Sequence, residues 1–223
     1  MKNVTFTPSR LLIFALILAL TLTLTSCASF KAGFSAALKG DIQQGTWSDD
    51  GKVFTNEWSN IKFTMPGDGY VSAPKEQIDE LMEAGAELVG QTGVAADITM
   101  MRIVYDFMVS DGSTNIPNIT LIYENVGSNA ALKNVDEAGY FDIMLTQFEQ
   151  MESQGLSYTE LNRSTASIAD IEWVSASYSL NDIAKQDYYL HLSDGYMCQL
   201  IVTYNDSTAQ AATDLLAGFS AAK

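Results

Sequence analysis

"GTWSDDGKVFTNEWSNIKFTMP", residues 45–66, is the stretch from which the fold of this 223-residue chain is first predicted. Residues 48–51, Ser-Asp-Asp-Gly, have the composition of a tight turn. The runs at 53–55 and 61–64 carry the apolar and β-branched side chains of short strands, and a Pro-Gly pair then breaks the pattern. The stretch therefore predicts a β-hairpin that opens a folded domain.

Alternating patterns continue along the chain and predict further strands. Between residues 101 and 109, apolar side chains alternate with Arg102, Val104 and Asp106, which is the period of a strand with one buried face. That face would carry Met101, Ile103, Tyr105, Phe107 and Val109. Residues 119–123 repeat the pattern. Four more strands are predicted at 158–161, 171–180, 187–192 and 196–204.

Helical spacing of apolar residues predicts three amphipathic helices. The first spans 72–90, the second is centred on 141–148, and the third begins at Asp206 or Ser207. Ser207 and Gln210 fit a capping box for the third helix, which carries Ala212, Leu215, Leu216 and Phe219. The resulting order, β-β-α-β-β-α-β-β-β-β-α, predicts an α+β fold in which a mostly antiparallel β-sheet is covered by helices, an α/β/α sandwich.

The first hairpin and the segment after it resemble a known family. Residues 56–63, Asn-Glu-Trp-Ser-Asn-Ile-Lys-Phe, are followed by Met-Pro at 65–66 and Gly-Tyr at 69–70. This pattern resembles the opening of small lipoproteins from Gram-positive gut bacteria, whose layout is similar to the Mog1/PsbP-like fold. The resemblance covers about residues 46–219. It implies an interaction module, because the better-known members bind a small GTPase or the photosystem II oxygen-evolving core. No site motif of those members is matched here, so the resemblance assigns no functional residue.

The N-terminus has the pattern of a bacterial lipoprotein export signal. A basic start precedes an uninterrupted apolar block at 11–20, which is typical of a signal peptide. Residues 24–27, Leu-Thr-Ser-Cys, resemble a lipobox, in which a small residue precedes the cysteine that receives acyl chains such as palmitate. The pattern predicts a signal peptide at 1–26 and lipidation of Cys27. An uncleaved anchor, or an ordinary signal peptide with an incidental cysteine, is the alternative.

The mature chain is predicted to consist of a tether and one domain. Residues 27–45 are rich in Ala, Ser and Gly and predict a flexible tether behind the lipidated Cys27. Residues 46–223 predict a single α+β domain. Cys198 is the only other cysteine, so no intramolecular disulfide is expected in the mature chain.

The charge of the chain argues against one class of partner. The full sequence has a formal charge of −15. Lys2 and Arg10 lie before Cys27 and no Asp or Glu does, so the mature chain would carry 10 basic and 27 acidic side chains, a charge of −17. Such a surface repels phosphate backbones, and nucleic acid is therefore not expected as a partner. No cofactor is predicted.

Candidate catalytic groups do not form a recognisable constellation. The single histidine, His191, would share a strand face with Asp187 and Tyr189 and could act as a general base, but no partner nucleophile is indicated. Cys198 falls on the apolar face of its strand and is expected in the core. Residues 72–75 match the S-x-x-K of penicillin-interacting enzymes, yet the Lys-Thr-Gly and Ser-Asp-Asn motifs of that class are missing. We therefore expect no enzymatic activity, with a small envelope hydrolase as the alternative.

Aspartates occur in three predicted turns, at Asp49 and Asp50, at Asp111 and at Asp194. Calcium takes about six to eight oxygen ligands, and none of these turns has the D-x-D-x-D spacing with a distal Glu. Ordinary turn chemistry accounts for the aspartates. No metal site is expected.

Aromatic residues are the last candidates for a binding surface. Exposed Trp and Tyr anchor protein interfaces, whereas in strands they are more often core residues. The candidate partner-binding residues are Trp58, Tyr70, Trp173 and Tyr189. The sequence thus predicts an exported protein, lipid-anchored to the outer face of the bacterial cell membrane, that acts as a non-catalytic binding or assembly module with an envelope protein partner. A ligand-binding lipoprotein that serves a transporter is a further alternative.

Overall fold

The computed structural model describes residues 40–74, 76–78, 103–114, 116–129, 131–152 and 155–223. Within these residues the strands are β1 (Thr46–Trp47), β2 (Val53–Asn56), β3 (Ile61–Thr64), β4 (Tyr70–Ser72), β5 (Ile103–Asp111), β6 (Asn118–Asn125), β7 (Tyr158–Ile168), β8 (Ile171–Leu180), β9 (Ala184–Ser193), β10 (Tyr196–Tyr204) and β11 (Phe219–Ala221). The helices are α1 (Glu137–Met151) and α2 (Ala209–Ala217), and short 3-10 turns lie at Val126–Ser128 and Asp206–Thr208. Residues 76–78 of the first predicted helix, 72–90, are helical, and most of that segment lies outside the described residues.

The strands form two antiparallel sheets. The large sheet has seven strands in the order β4-β5-β6-β10-β9-β8-β7, and the small sheet has four in the order β1-β2-β3-β11. All neighbouring strands run antiparallel in both sheets. The predicted α+β class with a mostly antiparallel sheet is confirmed.

The large sheet is covered on both faces. One face packs against buried side chains of α1, namely Tyr140, Phe141, Met144, Phe148 and Met151. The other face packs against side chains of the small sheet and α2, among them Phe54, Phe63, Leu215 and Phe219. This second layer therefore consists of strands and a helix. In β2 and β3, alternate side chains are buried and face the large sheet. No helix within the described residues is long and apolar enough to cross a membrane.

A β-bulge in β5 changes which side chains share a face. Tyr105 pairs with Ile122 while Phe107 pairs with Leu121, so Asp106 is the extra residue between them. Tyr105 therefore faces the core under α1, and Phe107 faces the small sheet. The predicted strand with one buried face is wrong, because both faces of β5 are buried and the bulge interrupts the alternation.

Three predicted boundaries also differ from the structure. The turn at 48–51 joins β1 to β2, and the strands at 53–56 and 61–64 are joined by the turn that carries Trp58. The last helix ends at Ala217, and Phe219 begins a strand that pairs with Phe63. Asn205 is the residue that caps the segment before α2. Its side chain accepts hydrogen bonds from the backbone of residues 207 and 208, so the predicted cap and capping box are wrong.

Residues just before the first strand contact the large sheet. The Asp41 backbone N–H donates to the Tyr196 hydroxyl at 3.0 Å. The Gln44 side-chain amide donates to the carbonyl oxygen of Tyr105, also at 3.0 Å. Contacts with the domain thus begin ahead of residue 46, the predicted start of the domain.

Asp106, Asn56 and Gly45 form what we call the inter-sheet junction. The Asp106 carboxylate accepts hydrogen bonds from the Gly45 N–H at 2.8 Å and from Asn56 Nδ2 at 2.7 Å. Burial raises the pKa of Asp106, and these hydrogen bonds act in the opposite direction. Gly45 can approach because it lacks a Cβ, which would collide with the Phe54 ring and lie 2.6 Å from the carbonyl oxygen of Thr55. The junction joins a bulge of the large sheet to β2 of the small sheet.

We expect the substitution Asp106→Asn to destabilise the fold although it preserves shape. The new NH₂ group would face a second donor in either orientation, the Gly45 N–H or Asn56 Nδ2. Asn56 cannot reverse to help, because its Oδ1 accepts from two backbone N–H groups. The free energy of unfolding should fall by about 1–3 kcal/mol in urea denaturation. The matched control is Asp182→Asn in an exposed turn; equal midpoints for the two variants would contradict this role of Asp106.

Candidate functional site: an aromatic pocket

A cavity of about 370 Å³ lies where the turn between β2 and β3 overlies the large sheet. The residues that line it include Trp58, Tyr123, Trp173, His191, Tyr196 and Cys198. Asp41 and Asp194 also line this cavity, which we call the aromatic pocket. Its volume is within the range of small-molecule sites, and such sites are mostly apolar with a few placed polar groups.

Trp58 is positioned by the inter-sheet junction. The side chain of Asn56, only 1% exposed, accepts from the backbone N–H of Trp58 at 2.9 Å and of Ser59 at 3.1 Å. The Trp58 ring stands edge-to-face against Tyr123 and Tyr196, with 5.2 Å between ring centroids in both pairs and interplanar angles of 87° and 83°. Two tyrosines thus stand at right angles to the indole ring.

Trp173 and His191 form another wall. Trp173 is 1% exposed, and its indole N–H donates to the carbonyl oxygen of Ile168 at 3.1 Å. The ring centroids of Trp173 and His191 are 5.7 Å apart. His191 Nδ1 donates to the carbonyl oxygen of Glu172 at 3.1 Å, since a carbonyl can only accept.

Cys198 lies beside His191 across the strands, but its thiol is not activated. The two residues are direct partners in the pairing of β9 with β10. Cys198 is 7% exposed. Burial raises the pKa of its thiol well above the usual range, and the negative charge of Asp106 adds to the effect. A thiol in this setting stays protonated, so it is a poor nucleophile.

Tyr123 lies beside both the Cys198 thiol and Ser59. The Tyr123 hydroxyl lies 2.6 Å from Ser59 Oγ. Burial raises the pKa of Tyr123, and the negative charge of Asp106 adds to the shift. Because Asp106 acts on both Tyr123 and Cys198, it lies close behind this wall of the aromatic pocket.

The mouth of the aromatic pocket is acidic. Asp41 and Asp194 are both exposed, and neither forms an ion pair within the described part of the chain. None of the described residues that line the aromatic pocket is Lys or Arg. The local field therefore favours positive over negative ligands.

The four predicted partner-binding residues do not all lie at the aromatic pocket. Trp58 and Trp173 line the aromatic pocket, whereas Tyr70 and Tyr189 do not. Both tyrosines are half-buried and pack against the core beneath the small sheet. Desolvation by burial is the main cause that raises the pKa of both, to about 12 for Tyr189.

The other candidate motifs have ordinary structural roles. Ser72, predicted to begin a helix, lies in β4 opposite Val109, and Lys75 is outside the described residues. Asp50 and Asp111 accept hydrogen bonds from residues of their own turns. No three His, Cys, Asp or Glu side chains among the described residues are grouped so that they could hold a metal ion.

Sequence reasoning missed the proximity of His191 and Cys198, which it weighed separately. A two-residue turn after β9 pairs 193 with 196 and therefore 191 with 198, so the predicted turn contained the signal. Tyr123, Ser59 and Tyr196 were also missed. Their meeting depends on how the small sheet packs on the large one, which no local pattern encodes.

The comparisons with known proteins concern the fold. No protein-family model matches the chain, and no curated protein matches it. The chain is similar to the solution structure of cyanobacterial PsbP (CyanoP) from Synechocystis sp. PCC 6803, with 10% identity, 89% of this chain and 98% of that chain covered, and a TM-score of 0.47. It is also similar to LpqN of Mycobacterium tuberculosis, described as involved in cell envelope biogenesis, with 12% identity, 53% and 78% covered, and a TM-score of 0.32. We draw no function from these matches.

We expect the Cys198 thiol to resist alkylation in the folded protein. A Cys27→Ala variant leaves Cys198 as the only thiol, so iodoacetamide labelling at about pH 8 reports on it alone. Mass spectrometry should show slow labelling in buffer and complete labelling in denaturing urea. Rapid stoichiometric labelling of the folded protein would contradict an inert thiol.

Proposed function

We propose that this protein is a non-catalytic binding module, held at the outer face of the bacterial cell membrane by lipid on Cys27, with the aromatic pocket as its binding site. The observation that carries the proposal is the aromatic pocket itself, in which Trp58 and Trp173 meet two tyrosines around a cavity of about 370 Å³. Aromatic side chains supply large contact areas at low cost in conformational entropy.

The groups in the aromatic pocket that could do chemistry support binding rather than catalysis. A nucleophile must lie within hydrogen-bond reach of a base, and its pKa must be lowered or its proton removed. No hydrogen bond joins His191 to Cys198 or Ser59 among the described residues, and Ser59 Oγ is bonded to Tyr123. The pKa of the Cys198 thiol is raised, which is the opposite of activation. The hydrolase alternative has no such pair to support it.

One observation favours the second candidate, a ligand-binding lipoprotein that serves a transporter. The aromatic pocket has the size of a small-molecule site, whereas a protein interface would be expected to show a wide apolar patch. The exposed large hydrophobic residues among the described ones are scattered over two strands and a turn: Val71, Leu161 and Ile183. An envelope protein partner would then receive the ligand from the module.

Lipidation of Cys27 is tested by metabolic labelling. Cells that express the full chain are grown with an alkyne-bearing fatty acid, and the purified protein is coupled to a fluorophore. The label should be lost in Cys27→Ala and kept in Cys198→Ala, which removes the only other thiol. Equal labelling of the two variants would exclude an acyl chain on Cys27.

The aromatic pocket is tested by comparing Trp58→Ala with Tyr70→Ala. Both change half-buried aromatic residues, but only Trp58 lines the aromatic pocket. The full chain, solubilised in an uncharged detergent, is used to capture proteins and small molecules from solubilised envelope, and both fractions are analysed by mass spectrometry. A bound species should be lost with Trp58→Ala and retained with Tyr70→Ala, provided that thermal melting shows both variants folded. Loss in both variants, or in neither, would contradict the aromatic pocket as the binding site.

A further inference from the structure

We infer that the aromatic pocket binds a small organic cation through its ammonium group. The inference rests on the proposed function, because it names the ligand class for the same pocket. Three properties of the pocket support it: the aromatic side chains that line it, the negative charge at its mouth, and the hydrogen bonds that its polar groups already form within the chain.

The ring walls offer a site for a cation. An ammonium group is attracted to the face of an aromatic ring within about 6 Å of its centroid, and Trp is the strongest partner. Trp58 and Tyr196 are partly exposed, stand nearly perpendicular to each other and line the same cavity, whereas Tyr123, also perpendicular to Trp58, is fully buried. Tyr196 is held by the Asp41 N–H and Trp173 by Ile168. The walls are therefore formed before a ligand arrives, which lowers the entropic cost of binding.

The charge of the aromatic pocket selects the sign of the ligand. Asp41 and Asp194 stand at its mouth, and the described residues that line it include no Lys or Arg. Asp106 lies behind the wall formed by Tyr123 and Cys198. The whole chain carries a formal charge of −15. Anionic ligands such as phosphates and carboxylates would meet repulsion and find no cationic side chain to bind them.

Neutral sugars also stack on Trp, but the hydrogen bonds that the polar groups of the aromatic pocket already form favour a cation over a sugar. A sugar needs many directional hydrogen-bond partners, and four groups in the walls each already form one hydrogen bond within the chain. Ser59 is bonded to Tyr123, Tyr196 to the Asp41 backbone, Trp173 to Ile168 and His191 to Glu172. An ammonium group that is fully alkylated has no N–H and needs only ring faces and nearby carboxylates. The aromatic pocket supplies both.

The test compares choline with its neutral isostere, in which carbon replaces the quaternary nitrogen. The full chain is kept in a polyoxyethylene detergent, which contains neither ammonium nor sugar groups. Binding is followed by isothermal titration calorimetry and by tryptophan fluorescence, since two of the three tryptophans line the aromatic pocket. Choline should bind at least about threefold more tightly than the isostere, because only the charged form gains from the rings.

A pair of matched variants locates the charge. Asp194→Asn should weaken choline binding roughly two- to fivefold, as expected for the loss of one exposed carboxylate. The substitution preserves the backbone, because Asn tolerates the left-handed conformation that Asp194 adopts at φ 51°. Asp182→Asn is the control, with φ 56° in the turn at the other end of the ten-residue strand β9. It lies about 30 Å away, well beyond the screening length of about 8 Å at physiological salt, and should leave binding unchanged.

The outcomes distinguish this inference from the proposed function. Tighter binding of choline, weakened by Asp194→Asn alone, supports the organic cation. Equal binding of choline and the isostere would overturn the cation and leave the aromatic pocket as a binding site. The same conclusion would follow if choline did not bind but N-acetylglucosamine did, and if Trp58→Ala abolished the binding of N-acetylglucosamine. Absence of any binding, together with capture that is unaffected by Trp58→Ala, overturns both.

Discussion

The hydrogen bonds of the Asp106 carboxylate are the interaction on which the arrangement of the two sheets depends. A buried carboxylate is costly unless its oxygens accept hydrogen bonds. The donors come from two segments outside the large sheet, Gly45 before β1 and Asn56 at the end of β2. Neither donor is in place unless the small sheet sits in one register over β5. These hydrogen bonds within a largely apolar interface therefore favour one packing among many that would bury similar area.

The same contact determines the shape of the aromatic pocket. Asn56 uses its amide nitrogen on Asp106 and its oxygen on the backbone of Trp58 and Ser59. The side chain of Asn56 therefore links the position of Trp58, in one wall of the aromatic pocket, to the packing of the two sheets. The opposite wall stands on β8, β9 and β10, which are central strands with neighbours on both sides. Walls that rest on paired strands are more rigid than walls on loops, and this favours a preformed site.

The features that sequence could predict are those that depend on local pattern. Alternation located β6, β8 and β10, helical spacing located α1, and the class of fold followed from their order. Periodicity could not reveal the bulge at Asp106, because a bulge is a departure from the period and costs only one residue. The short strand that begins at Phe219 was assigned to the helix, since an apolar residue two positions beyond Ala217 continues the helical pattern. Only its pairing with β3 makes it a strand.

Two of the four predicted partner-binding residues line the aromatic pocket, and there is a physical reason why sequence could not group them. Sequence identifies residue types that bind, and it singled out Trp58 and Trp173. It does not show whether an aromatic ring is a core residue, an exposed anchor or the wall of a cavity, because that depends on what packs beside it. Trp173 illustrates the point: it is 1% exposed and yet lines the aromatic pocket. Tyr70, of the same aromatic class, packs against the core instead.

The proposed anchor and the proposed ligand are compatible in space and in charge. Asp41 lies at the mouth of the aromatic pocket and only 14 residues after Cys27, a length that spans at most about 50 Å when fully extended. A lipid on Cys27 would therefore keep Asp41 within about that distance of its attachment point in the membrane. Anionic lipid surfaces attract cations within about a Debye length. The proposed ligand would therefore be enriched close to the membrane, while repulsion between the acidic domain and the anionic surface would hold the aromatic pocket clear of the lipids at the end of the tether.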